Sequence, residues 1–314
     1  MKDTDIKIDI CIATYMRPEL LRSLLHSLEK QIVDDRFGLR VVVVDNDSRK
    51  SALKVVDEFK KKTRFEVVYD IEQVQGISYA RNRALRHVHA ELFAFLDDDE
   101  TVTENWLTAL YNTLVRYDAD AVFGPVVSII PGNAPDWAKE HPSFKRSRKP
   151  TGVKLAFGAT NNVLIRTAAL GEPLQTFNPA YATTGGGDTD FFYRLHLAGK
   201  KLVWCNEAVV REYISPDRLT TRWVYRRALR GGQVFSRIFV RRYSLARKIF
   251  WTLTKPMQLI AGLLALPVIR VFSYPLYVRL CCRVYAAAGQ ITGLCGSLFQ
   301  YNEYDSKKII PKME

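Results

Sequence analysis

Three consecutive aspartates, Asp97-Asp98-Asp99, followed by Glu100, close the apolar run Leu92–Leu96. Adjacent carboxylates at a strand end repel one another unless a cation sits between them. Oxygen-only donors suit Mg²⁺ or Mn²⁺, typically shared with a diphosphate. A solvated acidic turn is the alternative for any such triplet; the end of a buried strand is the setting that favours a cation. A second constellation, Gly185-Gly186-Gly187-Asp188-Thr189-Asp190, delivers carboxylates to a helix start on a flexible turn. Aspartates there can simply cap the helix. They can also act as the positioned base that takes a proton from a hydroxyl, with the glycines leaving room for a substrate. A third, Gln75-Gly76-Ile77-Ser78-Tyr79-Ala80-Arg81-Asn82, opens a helix after a glycine with Arg81 one turn in, which suits a phosphate or nucleotide edge as well as an ordinary charged surface. The five histidines show no metal-ligand spacing, and neither do the five cysteines, which lie in apolar surroundings. No Gly-x-Gly-x-x-Gly follows the first strand and no Walker A sequence is present.

The elements that must position these residues alternate along the first 125 positions. β-Branched and apolar runs at Ile6–Ala13, Arg40–Val44, Phe65–Tyr69 and Leu92–Leu96 are separated by helical patterns beginning at Pro18, Ala52 and Ile77. Such spacing predicts right-handed βαβ units and a mostly parallel sheet. Ligands of such a sheet bind outside the carboxyl ends of its strands. Three strands end there in polar residues: Thr14-Tyr15-Met16-Arg17, Asp45-Asn46-Asp47-Ser48 and Asp97-Asp98-Asp99-Glu100. The alternation breaks after Ile130. Residues Pro131–Pro150 read as a long basic loop, Leu155–Arg166 as a strand or hairpin, and Asp188–Ala198 as a helix stopped by Gly199.

The 314 residues carry 46 Lys and Arg against 33 Asp and Glu, a net charge of +13, and 47% are hydrophobic. That composition excludes disordered, collagenous and small disulfide-stapled chains. The charge is unevenly placed. Residues 1–210 hold 28 groups of each sign, whereas residues 211–314 hold 18 basic and 5 acidic ones. Two parts are therefore expected: a charge-balanced α/β domain over residues 1–215, and a basic, apolar helical region over residues 216–314. The polar start Met1-Lys2-Asp3-Thr4-Asp5 lacks a signal-peptide pattern, and a reducing compartment is expected.

Taken in order, ICIATYMRPELL, VVVVDND, QGISYARNRAL, FLDDDE and GGGDTDFFYRLHLAG resemble the inverting family 2 glycosyltransferases of the Rossmann-like GT-A fold, from about Ile8 to Gly232. The resemblance implies that Thr14, Tyr15 and Arg17 border a nucleotide base, that Asp45 lies on the uracil or ribose side, and that Arg81 lies near the base or diphosphate. It implies further that Asp97 and Asp98 support the ribose and metal, that Asp99 ligates Mn²⁺ or Mg²⁺, and that Asp188 is the general base. Many relatives carry Glu-Asp where this chain has Gly187-Asp188, so Asp190 stays a second candidate base. Some relatives use a metal-contacting His near Glu212, so the resemblance implies either that Glu212 joins Asp97 and Asp99 as a metal ligand in its place or that this ligand is absent. Arg218–Trp223 resembles the Gln-x-x-Arg-Trp signature of processive synthases, with Leu219 in the Gln position. Without evident flanking transmembrane helices, a single-sugar transferase is expected, with Arg222 and Trp223 on the acceptor or diphosphate side.

Ten basic residues between Arg218 and Lys248 are interleaved with aromatic and aliphatic ones. Nucleic acid or an anionic membrane surface could meet such a segment. The uncharged stretches that follow, Pro256–Ile269, Val271–Val278 and Val284–Asn302, favour the membrane and argue against nucleic acid. The first is short and holds Pro256 and Pro267, so in-plane or re-entrant helices are expected rather than clean spans. Gly289-Gln290-Ile291-Thr292-Gly293 matches a small-residue helix-packing pattern. The expected protein is a metal-dependent transferase seated peripherally or monotopically on the cytoplasmic face of a bacterial inner membrane. It would move one sugar from a nucleotide-sugar donor, UDP-linked, to a lipid-linked saccharide acceptor. The rival expectation is a catalytically silent membrane or nucleic-acid binding module on the same fold.

Overall fold

In a computed structural model, which describes residues 6–32 and 36–294, the chain forms an α/β unit followed by long helices. The elements run β1 (Ile6–Thr14), α1 (Pro18–Glu29), β2 (Phe37–Asp45), α2 (Leu53–Lys60), β3 (Glu66–Ile71), α3 (Ile77–Arg86), β4 (Leu92–Asp97), β5 (Glu100–Val102), α4 (Trp106–Arg116), β6 (Ala121–Phe123) and β7 (Val126–Ile129). They continue with α5 (Asp136–Lys139), β8 (Lys154–Leu155), β9 (Asn162–Arg166), α6 (Gly187–Leu197), β10 (Leu202–Trp204), β11 (Val210–Tyr213), α7 (Thr221–Ile238), α8 (Leu245–Phe272) and α9 (Tyr274–Leu294).

The main sheet has the order β3-β2-β1-β4-β9-β6-β10-β8, with the first four strands parallel. Val41 to Val44 are fully buried, as a strand covered on both faces requires. Alternation along β1 sends Ile8, Ile10 and Ile12 into a core shared with α1, α2 and α4. Cys11 goes to the opposite core, with Ala80 and Ala84 of α3 and Phe191 and Phe192 of α6. The chain runs outward from β1 to β3, then returns to place β4 on the other side of β1. That reversal leaves a crevice at the carboxyl ends of β1 and β4. A second sheet, β5-β11-β7, sits beside it and puts Glu212 directly across from Glu100.

Of the strand or hairpin expected over Leu155–Arg166, the strand forms, over Asn162–Arg166. Its fully buried Val163, Leu164 and Ile165 demand a central place, and β9 inserts antiparallel between β4 and β6, while β8 pairs with β10 at the edge. Residues Pro131–Pro150 are also more than a loop. Trp137, Ala138 and Phe144 are buried in a small core with Val224 of α7 and Val278 of α9.

The first C-terminal apolar stretch, expected as an in-plane or re-entrant helix, belongs to a longer helix that its prolines do not break. Pro256 and Pro267 both lie inside the continuous 28-residue α8, about 42 Å long at the usual helical rise. By length and composition α8 can cross a membrane. Its apolar side chains are largely exposed, including Leu264 and Phe272. α9 grips α7 through glycines: a Cβ on Gly289 would lie 2.0 Å from the Leu229 carbonyl oxygen, and one on Gly232 would lie 2.1 Å from that of Ala286. The small-residue pattern is thus a helix contact. Residues 295–302 of the last uncharged stretch, and Cys295, lie outside the described residues.

Inside the α/β unit one ion pair clamps three segments. Arg40 of β2 donates through Nε (2.8 Å) and Nη2 (2.9 Å) to Asp9 of β1, which also accepts from the His89 and Ala90 backbone N–H groups. Burial alone would raise the Asp9 pKa. The Arg40 hydrogen bonds, the two backbone donors and the attraction of the guanidinium outweigh it and hold the carboxyl below its ordinary range. Asp9→Asn should cost about 3 kcal/mol in urea unfolding at pH 7. Because the folded pKa is depressed, that contribution is complete above the unfolded value of about 4 and is lost as pH falls through the folded one. The gap between wild type and variant should therefore shrink in acid; a gap of constant size down the acid limb would mean that packing, not charge, is responsible.

Candidate functional site

A cleft of about 870 Å³ opens at the carboxyl ends of β1 and β4, and Asp97, Asp98, Asp99 and Asp188 all line it. Asp97 ends β4 level with Ala13 of β1. The next residues turn immediately into β5, whose Glu100 is buried and accepts the Asp97 N–H through Oε2 (3.0 Å). Protein mass around the cleft floor, and the neighbouring carboxylates Asp99, Asp98 and Asp188, push the Asp97 carboxyl up to about 7 against the pull of Arg81. Burial, then repulsion from Asp97 and Asp99, lifts Glu100 well above the usual carboxylate range. Asp98 is raised mainly by burial, with Arg17 opposing.

Each acid is met by a donor from a different segment. Arg81, on the first turns of α3, donates to Asp97 (3.1 Å). Arg17, just before α1, reaches Asp98 (3.2 Å) and Asp99 (3.4 Å). Thr14 donates its hydroxyl to Asp98 (2.8 Å). Arg218, in a 3-10 turn ahead of α7, reaches Asp99 (3.1 Å) and Glu212 (2.7 Å), and Arg146 takes the other Glu212 oxygen (2.7 Å).

The two candidate bases part company. Asp188 sits in the first turn of α6 and faces the cleft, whereas Asp190, 4% exposed, turns inward to Arg194 (2.9 Å) and Arg242 (3.8 Å). The left-handed Gly186 makes this possible: its φ is +92°, and a Cβ there would lie 2.6 Å from Val234. Gly76 does similar work at the start of α3, where a Cβ would lie 2.7 Å from that of Ala182. Its N–H is held by the Asn46 side chain (2.8 Å).

Other expected site residues are placed differently. Asp45 is fully buried beneath the loop after β2, accepting from the N–H groups of Asp47 and Ala52 and from the Tyr69 hydroxyl. It organises that loop and presents no surface to a nucleotide. Thr14 is buried under Asp98, and Tyr15 accepts from Gln75 (2.9 Å) outside the cleft lining. Arg222 is exposed on α7 and does not line the cleft, because helical geometry turns Trp223, Arg227 and Arg230 there instead. Glu212 reaches the cleft but both its oxygens engage arginines, so it is not offered as a metal ligand.

Arg218, Arg227 and Arg230 of the basic 218–248 segment form the far wall; sequence reasoning missed what joins them there, Arg146 and Arg148 from the 131–150 segment and the buried Asn162. Asn162 accepts from the Trp106 indole (2.8 Å) and donates to the carbonyls of Pro125 and Ala208, fastening β9 below the cleft. Two consecutive asparagines inside an apolar run, Asn161-Asn162, were the available signal.

Among the described residues no group of three or more His, Cys, Asp and Glu is arranged to hold a metal by itself. Asp97 and Asp99 nevertheless fit a Mg²⁺-like ion, which commonly takes one or two carboxylates and completes its shell with substrate phosphate and water. Their mutual repulsion in this cleft is what such an ion would relieve.

Comparison with known proteins bears on the family and the fold. A family model described as glycosyl transferase family 2 matches residues 9–172, and one described as glycosyl transferase family group 2 matches residues 92–289. The succinoglycan biosynthesis protein ExoM of Rhizobium meliloti is 33% identical over 312 residues, covering 98% of this chain and 99% of that one. Among solved structures, the mannosyltransferase PcManGT of Pyrobaculum calidifontis with GDP-Man and Mn²⁺ superposes with a TM-score of 0.63 at 17% identity, covering 93% of this chain and 88% of that one. TarS 1–349 of S. aureus with UDP gives 0.55 at 16%, covering 93% and 92%. At such identities these two likenesses are of fold. Gly186→Ala tests the local construction: strain at positive φ and the Val234 contact should together cost about 2 kcal/mol and lower Tm by a few degrees in a thermal melt.

Proposed function

The chain belongs to the family 2 glycosyltransferases, and from that premise we propose that it moves one sugar, with inversion, from a UDP-linked donor to a lipid-linked acceptor in polysaccharide synthesis. The observation that carries this reading is the convergence of Asp97, Asp99 and Asp188 on one cleft. The family supports the reaction class; the name of ExoM supports a polysaccharide product, and the UDP bound to TarS supports the donor.

Asp188 takes the proton of the acceptor hydroxyl as that oxygen attacks the anomeric carbon from the face opposite the diphosphate. The C1–O bond to the β-phosphate breaks as the new glycosidic bond forms, and its electron pair leaves with the nucleoside diphosphate. Asp188 stays aimed because its own helix start fixes it and the Thr189 N–H holds Oδ1 (2.8 Å). Arg17 and Arg81 stand ready on the donor side to meet the charge that develops on the leaving group. A divalent cation, Mn²⁺ or Mg²⁺, held by Asp97 and Asp99 would supply further neutralisation of that diphosphate.

The membrane assignment draws on α8, whose apolar side chains are exposed, and on the basic residues Arg241, Arg242, Arg247 and Lys248 that precede or begin it. Charge draws the protein to an anionic cytoplasmic leaflet and α8 holds it there.

Asp188→Asn should reduce transfer by at least about a thousandfold while UDP affinity, read by calorimetry with Mn²⁺, stays within about twofold; near-normal turnover would remove Asp188 from the role of base. In membrane fractions, washing with 1 M NaCl (a test condition, about 3 Å of Debye length) should leave the protein bound, and detergent should release it. Complete release by salt would refute the role given to α8.

A further inference from the structure

We infer that the cleft holds a second anion subsite, apart from the donor diphosphate, in which Arg146, Arg227 and Arg230 take the phosphate or diphosphate of the lipid-linked acceptor. This rests on the acceptor half of the function proposed above and names the chemistry that recognises it.

Guanidinium groups line the cleft at both ends. At the β4 end Arg81 pairs with Asp97, Arg17 with Asp98 and Asp99, and Arg218 with Asp99. On the opposite wall Glu212 is shared by Arg146 and Arg218, while Arg227 and Arg230, three residues apart on α7, face the same space. Arg227 reaches solvent in the cleft, yet the protein around it, and repulsion from Arg230, Arg146 and Arg218 that Glu212 only partly offsets, pull its pKa down to about 10. Cations crowded in this way gain most from an anion with several oxygens, which guanidinium forks can bind two at a time.

The wall is also braced. Arg227 lies over the Trp223 ring at 5.2 Å, and Trp223 stacks on Phe144 at 5.8 Å, which fixes the guanidinium from beneath. Arg230 passes beside Gly185, 3.4 Å from where a Cβ would stand, on the turn that carries Asp188. An anion held here would therefore lie next to the candidate base. Trp223 and Phe144 belong to the small core that joins α7 to α9, and α9 packs against the exposed apolar helix α8. One helical unit thus offers both an anion wall and an apolar surface, the two things a lipid phosphate needs. A free sugar phosphate would need only the first.

The test uses the full-length protein in detergent, saturated with UDP and Mn²⁺ so that the donor site is filled. Binding of geranyl diphosphate, inorganic pyrophosphate and geraniol is then measured by calorimetry on wild type, R227Q/R230Q and R227K/R230K. Geranyl diphosphate should bind wild type, and R227Q/R230Q should lose about tenfold or more of that affinity. R227K/R230K should recover part of it, and UDP affinity and Tm should barely change in either variant. Equal losses of UDP affinity would assign the wall to the donor and overturn the inference. So would unaltered geranyl diphosphate binding by R227Q/R230Q, no binding by wild type, or geraniol binding as tightly as its diphosphate. Pyrophosphate binding as tightly as geranyl diphosphate would overturn the lipid assignment. A wild type that fails to bind UDP counts against the donor reading alone, because the loss of geranyl diphosphate binding in R227Q/R230Q still reports on the wall itself.

Discussion

Repulsion among carboxylates is the constraint around which this structure is arranged. Asp97, Asp98, Asp99 and Glu100 follow one another at the end of a buried strand, and the second sheet brings Glu212 up opposite Glu100. Such a concentration of like charge is relieved by raised carboxyl pKa values, as at Glu100, and by positive groups close by. Arg17 comes from the turn after β1, Arg81 from α3, Arg146 from the 131–150 segment and Arg218 from the approach to α7. Four distant stretches of chain are thus drawn to one point, and the cleft is the space they enclose.

That dependence explains what was legible in the sequence. The βα alternation, the buried strands β2 and β4, and the acids at the end of β4 can be read locally, because period and composition fix them within a few residues. Which acid faces the cleft cannot. Asp188 and Asp190 share a helix start and differ only in rotation, and what turns Asp190 inward is Arg194 on its own helix together with Arg242 from far along the chain. Asp45 looked like a ligand because it ends a strand beside others that reach the cleft. Its burial follows from three donors, two in the loop it organises and one on the neighbouring strand β3. The places of the edge strand β8 and the inserted β9 in the sheet were likewise out of reach, since their partners lie tens of residues away.

The charge of the C-terminal third also has a sharper meaning. It is divided between arginines that enter the cleft from α7 and its approach, and others on the exposed helices beyond. A boundary drawn at residue 215 separates the last strand from the helices, but the cleft draws its walls from both sides of that line. The long helices therefore contribute to the site as well as following it in sequence.

The glycine contact between α7 and α9 bears on mechanics. Where Gly232 and Gly289 meet the opposing backbone, no layer of side chains remains to yield under load. A tilt imposed on α9 must reach α7 undiminished, because rotamer changes cannot absorb it. Since α7 carries Trp223, Arg227 and Arg230 in the half that runs up to Gly232, the helical pair behaves as a stiff lever whose short arm lies in the cleft.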